Sequence, residues 1–279
     1  MLKYELIPEQ LLYEGVIAND NLWPPEIIEE NLILLTHNTS YWERMRDHRL
    51  SAAEERRIGF KLSPMLIERE MRIAQGTVDT SIAALNAGIG FNVAGGTHHA
   101  GSNWAEGFCL LNDQAIAANY LLHKKLVARI LIVDLDVHQG NGTAEIFQNE
   151  KRVFTFSMHG QKNFPFRKEV SDLDIGLDDG IEDEEYLNLL RENLTSSFEI
   201  FKPDFVYYLA GVDVLATDKL GKLSLSTAAC QERDKIVFNL CLSYKTPVQV
   251  SMGGGYSPRI NDIVQAHCNT FKTAIQLYF

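Results

Sequence analysis

Asp136 and His138 stand two residues apart, with a further carboxylate at Asp134, where the chain leaves the apolar run Arg129–Leu135. On extended backbone, residues i and i+2 project to the same side, so Asp136 and His138 can grip one ion. Asp213 occupies a corresponding place after another apolar run, Phe205–Ala210, which makes two carboxylates and one imidazole. Three protein ligands with an open fourth position form a catalytic zinc site, whereas a structural site is closed by four ligands and is usually rich in cysteine. An isolated Asp-x-Asp-x-His is more often a solvated turn; its place behind a buried strand, with Asp213 to match, points to a metal. Two carboxylates cancel the charge of Zn²⁺, so its water is acidified less than by a site of three neutral histidines, and a separate base is needed. His98 and His99 are adjacent imidazoles at the end of another strand, and one of them could take the water's proton and later return it to a leaving group. His37, His48, His123 and His267 read as structural histidines.

Gly253–Gly255 lead into Tyr256. Neither GxGxxG nor a following Gly-Lys-Ser/Thr is present, so a phosphate cradle is the weaker reading. The other is that the glycines allow a close backbone approach and aim the Tyr256 hydroxyl at a developing oxyanion. Gly140, Gly142 and Thr143 read as a tight turn into a helix.

These residues need a scaffold. Short β-branched runs at Arg129–Leu135, Val153–Phe156, Phe205–Ala210 and Val248–Met252, with a weaker one at Gly90–Ala94, predict buried strands. Between them Asp113–Leu122 is rich in Ala and Leu, and Leu187, Leu190, Leu194 and Phe198 recur at helical spacing behind the acidic turn Glu182–Glu185. Alternating strands and helices imply a parallel sheet covered on both faces. GGTHHAG, DVHQGNG, SMHG, GVD and GGGYS each follow a strand, and ligands of parallel α/β sheets bind outside the carboxyl ends of the strands. The five segments are therefore expected to converge on one crevice.

The 279 residues, 46% apolar and 23% charged, are ordinary for a globular protein and exclude disorder or a fibre. A chain of this length buries enough surface to fold without a metal or disulfide staple. No repeat, low-complexity tract or Pro/Ser-rich linker marks a boundary, and one domain over residues 1–279 is expected. Twenty-six basic against 37 acidic residues, a net charge of −11, argues against nucleic acid as a partner and tolerates cationic substrates. Cys109, Cys230, Cys241 and Cys268 contain no Cys-x-x-Cys pair and read as buried thiols. MLKYELIPEQLLYEG lacks the basic start and apolar core of a signal peptide, so a cytoplasmic protein is expected. The uncharged stretch Thr80–Ala105 carries His98, His99, three asparagines and five glycines, which no membrane span would.

Taken in order, GGTHHA, DLDVHQGNGTA, FSMHG, AGVD and MGGGY resemble the zinc-dependent histone deacetylase family of the arginase/deacetylase superfamily, over about Gly95–Tyr256. The match is similar to small bacterial members related to the class IV enzymes, supported by Asn141 where class I enzymes carry Asp and by FSMHGQKNFPFRKE and SDLDIGLDDGIEDEEYL. The resemblance implies a three-layer α/β/α sandwich around an eight-stranded, mostly parallel sheet, and hydrolysis of N-acyl-lysine in proteins or peptides. It implies one Zn²⁺ on Asp136, His138 and Asp213. His99 would be the base and then the acid, with Asn141 behind it; His98, backed by Asp134, would act mainly electrostatically. Tyr256 would hydrogen-bond the carbonyl as it becomes an oxyanion. Gly107, Phe108 and Gly254, with Phe164 or Phe166 opposite, would line a narrow acyl-lysine tunnel. A structural K⁺ would sit on Asp134, Asp136, His138, Ser157 and Met158, mostly through backbone carbonyls. Family members usually carry a first strand and a rim loop ahead of the segment corresponding to Met1, whereas this sequence starts at the following helix-like stretch; their absence would bear on stability and tunnel shape.

Other substrates fit the same residues: small acylated amines such as acetylpolyamines, or long-chain acyl-lysine. A silent binding module would be free to lose at least one of His98, His99, Asp136, His138, Asp213 and Tyr256, and all are present. A binuclear manganese enzyme would need additional Asp/His ligands.

Overall fold

All strand pairings run parallel. The computed structural model describes residues 2–279, and these form a single sheet of β1 (Ile89–Asn92), β2 (Ile130–Asp134), β3 (Val153–Gly160), β4 (Leu173–Leu177), β5 (Phe205–Leu209) and β6 (Val248–Ser251), in the spatial order β1-β6-β5-β2-β3-β4. β2, β5 and β6 are buried at every position, as central strands between two helical layers must be.

The ten α-helices are α1 (Lys3–Tyr13), α2 (Glu30–Ile33), α3 (Thr39–Arg46), α4 (Ala52–Ile58), α5 (Pro64–Ala87), α6 (Asp113–His123), α7 (Asn141–Phe147), α8 (Asp183–Phe201), α9 (Thr227–Ser243) and α10 (Ile260–Tyr278). One apolar layer packs α1, α8, α9 and α10 against Leu131, Val133, Val206, Tyr208, Val248 and Val250. The other packs α2–α7 against Ile130, Ile132, Phe205 and Tyr207. The alternation along β2 and β5 thus divides their side chains between two cores, and the result is a three-layer α/β/α sandwich.

Local chemistry sets the helix ends. Ser63 accepts from Leu66 N–H ahead of Pro64 in the first turn of α5, and Asn112 and Ser226 cap α6 and α9 in the same way. Asp183, Glu184 and Glu185 occupy the positive end of α8, whose Leu190, Leu194 and Phe198 are wholly buried.

The five expected strands are all present, and three features differ. The sheet has six strands among the described residues, not eight: elsewhere pairing shrinks to the isolated bridges Glu106–Cys109 and Leu215–Leu225. β4 is the strand without a sequence expectation; as an edge strand it exposes Asp174 and Gly176 and buries only one side. β3 runs through SMHG instead of ending before it, because pairing with β4 from Phe156–Leu173 to Gly160–Leu177 keeps it extended. At the opposite edge, an apolar groove of about 1000 Å³ lies beside β1, between α5 and α10, and includes Trp23, Met65 and Phe271.

Candidate active site

The strand order reverses beside β2. The chain leaves β2 for β3 and β4 on one side and returns to β5 on the other, so the loops after β2 and β5 part in opposite directions and open a crevice at their carboxyl ends. Asp136 and His138 follow β2 and Asp213 follows β5. The register Asp134–Leu209 brings the two loops level.

The three side chains converge there. One ligand atom from each of Asp136, His138 and Asp213 lies within 4.8 Å of the others, and all three residues are buried. His138 Nδ1 is 3.0 Å from Asp136 Oδ1 and 3.2 Å from Asp213 Oδ2. The second oxygen of each carboxylate is anchored by backbone: Asp136 Oδ2 accepts from Gly254 N–H and Asp213 Oδ1 from Val137 N–H. Burial lowers the His138 pKa, but the hydrogen bond to Asp136 and the close Asp213 carboxylate outweigh it and lift the group to about 10. Burial and the adjacent Asp136 charge push Asp213 up to about 6. Asp213 Oδ2 is buried with no well-aligned donor. Two carboxylates and an imidazole aimed at one point, with an acceptor left over, fit a divalent cation: the donor set suits zinc and its three ligands leave a position open.

Beside this cluster the two adjacent imidazoles sit in contrasting surroundings. His98 Nδ1 is 2.6 Å from Asp134 Oδ2, and an acceptor-only carboxylate there makes Nδ1 the protonated nitrogen. Burial disfavours the charged ring, but Asp134 and then Asp136 prevail and raise the pKa of His98. His99, with its ring centroid 4.1 Å from that of His98, contacts only the neutral Asn141 side chain at Nδ1. Burial, then the His98 and His138 charges, hold it well below the usual histidine range. The two environments drive the neighbouring imidazoles apart, His98 toward its charged and His99 toward its neutral form.

A cavity of about 390 Å³ opens onto His99 and His138, with Gly107, Phe108, Phe164, Phe166 and Tyr256 in its walls. Phe164 meets the His99 ring edge-on at 5.0 Å, whereas Phe166 is 89% exposed and belongs to the mouth. Gly254 is outside the cavity lining and packs against the carboxylates, where a Cβ would lie 2.0 Å from Asp213 Oδ2 and only a hydrogen fits. Ser157 and Met158 lie within β3, level with Asp134, outside the cavity lining. The His159 that follows is buried against Ser157 Oγ at 2.9 Å.

Gly107 has φ +56, and a Cβ would come 2.6 Å from His99 Cδ2 and 3.0 Å from Phe164. Gly107→Ala should displace the His99 ring and lower kcat on the order of tenfold, with a loss of roughly 1–2 kcal/mol in stability. Steady-state kinetics with thermal unfolding would check both, and unchanged kcat would mean that the wall does not press on His99.

A family model described as the histone deacetylase domain matches residues 2–271. The chain belongs to the histone deacetylase family. It is 41% identical over 278 residues to an uncharacterized protein of Picosynechococcus sp., covering 100% of this chain and 93% of that one. It is 37% identical over 185 residues to histone deacetylase clr6 of Schizosaccharomyces pombe, covering 62% of this chain and 44% of the relative. With histone deacetylase 9 of Arabidopsis thaliana it shares 36% over 220 residues, 73% of this chain and 49% of the relative. The chain therefore spans just under half the length of these two eukaryotic relatives. The solved structure of an HDAC homolog complexed with SAHA superposes with a TM-score of 0.82 at 25% identity, over 98% of this chain and 77% of that one. Membership makes the protein a hydrolase of the deacetylase type.

Several residues that shape this deacetylase site carry no motif signal. Asp113, at the start of α6, accepts from Gly96 N–H, Thr97 N–H and both the Thr97 and Thr77 hydroxyls, which pins the loop carrying the histidine pair. Asn112 donates to Ala100 O and Thr143 Oγ1. Lys3, from α1, is buried and donates to Gly253 O at 2.6 Å, and burial lowers its pKa to about 8. Arg233 is buried and donates to Gly211 O at 2.6 Å, bracing the loop that bears Asp213. Glu106 bonds Asn141. Each was hidden because its partner lies far along the chain. Among the histidines read as structural, His37 bonds Gly101 O and Asn112 N–H, His48 and His123 are exposed, and His267 is buried near Gly255.

Proposed function

We propose that this protein is a zinc-dependent deacylase that hydrolyses the amide bond of N-acyl-lysine, acetyl or longer, in proteins or peptides, and that it does so as a single deacetylase-like domain in the cytoplasm. One observation carries this reading: His138, which belongs to the Asp136–His138–Asp213 cluster, and His99 line one cavity walled by Phe108 and Phe164. Asp136, His138 and Asp213 would hold the metal, and zinc bound there supplies a Lewis acid that polarises the carbonyl and acidifies a water. Asp134, Asp136, His138, Ser157 and Met158 would hold a structural K⁺ behind it.

An amide is a poor electrophile with a poor leaving group, so the chain must hold charge and move protons. His99 Nε2 accepts the proton of the attacking water and delivers it to the lysine nitrogen as the C–N bond breaks. His98, kept cationic by Asp134, places positive charge beside the developing negative charge. The Tyr256 hydroxyl donates to the carbonyl oxygen as it becomes an oxyanion. Gly107, Phe108 and Phe164 exclude water along the acyl-lysine stem, Phe166 borders the entrance and Gly254 packs against the carboxylates.

The mouth favours acyl-lysine over acetylpolyamines. The chain as a whole is acidic, yet the cavity lining holds Arg57, Lys162 and Lys222 and no carboxylate. A second ammonium near the mouth would meet like charge there, offset in part by Asp179 at 3.7 Å from Lys162. The testing experiment is release of free amine from peptides carrying acetyl-, butyryl-, octanoyl- and myristoyl-lysine, with N-acetylspermidine alongside and Tyr256→Phe as the control. Turnover of a peptide that is lost in the control supports the reading; turnover of the polyamine alone would replace it. Peptides flanked by Asp or Glu should show KM lower by roughly 3- to 10-fold than those flanked by Lys or Arg, with the gap narrowing at high salt. Equal KM values at low salt would remove the rim charges from substrate selection.

No helix of the described residues is long and apolar enough to cross a membrane.

A further inference from the structure

We propose that Glu106 is a positioning residue that sets the tautomer of His99 through Asn141; the inference rests on the reading of His99 as the proton carrier. Asn141 Nδ2 donates to Glu106 Oε1 at 2.6 Å, and Asn141 Oδ1 lies 2.7 Å from His99 Nδ1. The two ends of an asparagine amide have the same shape, so packing alone does not orient it; its partners do. A carboxylate only accepts. Glu106 must therefore receive the amide NH₂, which turns Oδ1 toward His99. Oδ1 in turn only accepts, so His99 Nδ1 carries the proton and the Nε2 lone pair is left facing the cavity, as a base requires. Were the amide reversed, its NH₂ would face Nδ1, the ring proton would move to Nε2, and His99 would present a donor where an acceptor is needed.

Glu106 is held for this task. Its loop is tied to α4 by Gly107 N–H to Arg57 O and Phe108 N–H to Ile58 O, and closed by Cys109 N–H to Glu106 O at 3.0 Å. The same short segment thus supplies the wall residues Gly107 and Phe108 and the group that orients the histidine beside them. Asn141 carries no charge of its own to stabilise the imidazolium, and the Glu106 carboxylate supplies one a group further away, through a polarised amide.

The test uses the isosteric Glu106→Gln, which keeps the volume and a hydrogen bond but allows the Asn141 amide both orientations, and the reciprocal double variant Glu106→Gln/Asn141→Asp. In the double variant the amide introduced at position 106 donates to a carboxylate at position 141, which accepts from Nδ1–H whichever way it is turned. The ¹⁵N spectra of histidine-labelled, zinc-loaded protein, assigned by the signals missing from His99→Ala, should show Nδ1–H in the wild type, mixed tautomers in Glu106→Gln and Nδ1–H again in the double variant. On the acyl-lysine peptide that the wild type hydrolyses fastest, kcat should fall roughly 10- to 100-fold in Glu106→Gln with KM within twofold, and return to within about threefold in the double variant. A wild-type tautomer in Glu106→Gln, or a double variant no better than the single one, would overturn the inference. Full turnover by His99→Ala would instead overturn the role of His99, and if no peptide is turned over the spectra decide alone.

Discussion

Asp213→Ala is expected to purify folded, without zinc and without activity. Among the described residues Asp213 is one of the three side chains that could hold the ion together, and its Oδ2 has no well-aligned partner. Removing it leaves Asp136 and His138, too few to retain the ion through dialysis. Second-sphere changes at zinc sites already cost 10–100-fold in affinity; losing a ligand should cost more, and turnover should fall by at least about 10³-fold. The fold should survive, because within the protein Asp213 only accepts from Val137 N–H and neighbours His138 Nδ1 at 3.2 Å, and the surrounding strands are apolar. Elemental analysis of dialysed protein, paired with circular dichroism, reads the two outcomes separately. Zinc bound at wild-type stoichiometry would refute the ligand assignment.

Tyr256→Phe should do the opposite, keeping zinc and fold while losing most of the activity. Burial, followed by the Asp213 and Asp136 charges, holds the Tyr256 pKa far above the usual phenol range, so the hydroxyl stays a donor at any workable pH. Its backbone is fixed by Tyr256 N–H to Asp218 Oδ2 at 2.6 Å, a contact that the phenylalanine variant retains. In the proposed role only the donor to the developing oxyanion is removed, which should cost about 10²–10³ in kcat, or roughly 2.7–4 kcal/mol of transition-state stabilisation. KM should change little, because the ground-state carbonyl needs the donor less. Wild-type kcat in this variant would take Tyr256 out of the mechanism.

The architecture was legible wherever burial leaves a local imprint. Ile130–Asp134 and Phe205–Leu209 are covered on both faces, so their apolar runs are unbroken and stand out in the chain. Leu173–Leu177 is covered on one face only; its Leu-x-Ile-x-Leu alternation is a weak signal, because the interleaved Asp174 and Gly176 are poor strand formers. The end of β3 was misjudged for a related reason: SMHG is polar enough to read as a loop, and what keeps it extended is β4, a neighbour that its own residues do not announce.

The chemistry divides in the same way. The spacing of Asp136 and His138 suggested a pair on extended backbone; the two side chains do meet, but across a bend at 136–138 just beyond β2, where the Asp136 carboxylate accepts from His138 N–H. The arrival of Asp213 beside them depends on β5 lying against β2, a pairing that lets Val137 N–H bond Asp213 across 76 residues. The Asn141–Glu106 bond spans 35 residues and needs the loop before α6 to fold back over the start of α7. The basic mouth is likewise assembled from Arg57, Lys162 and Lys222, three distant points of a chain whose net charge is −11. Periodicity, capping and motif spacing are properties of neighbours in sequence, and a single chain displays them directly. Which loop meets which depends on strand order, because the sheet gains its buried area from the whole arrangement and no short segment encodes it.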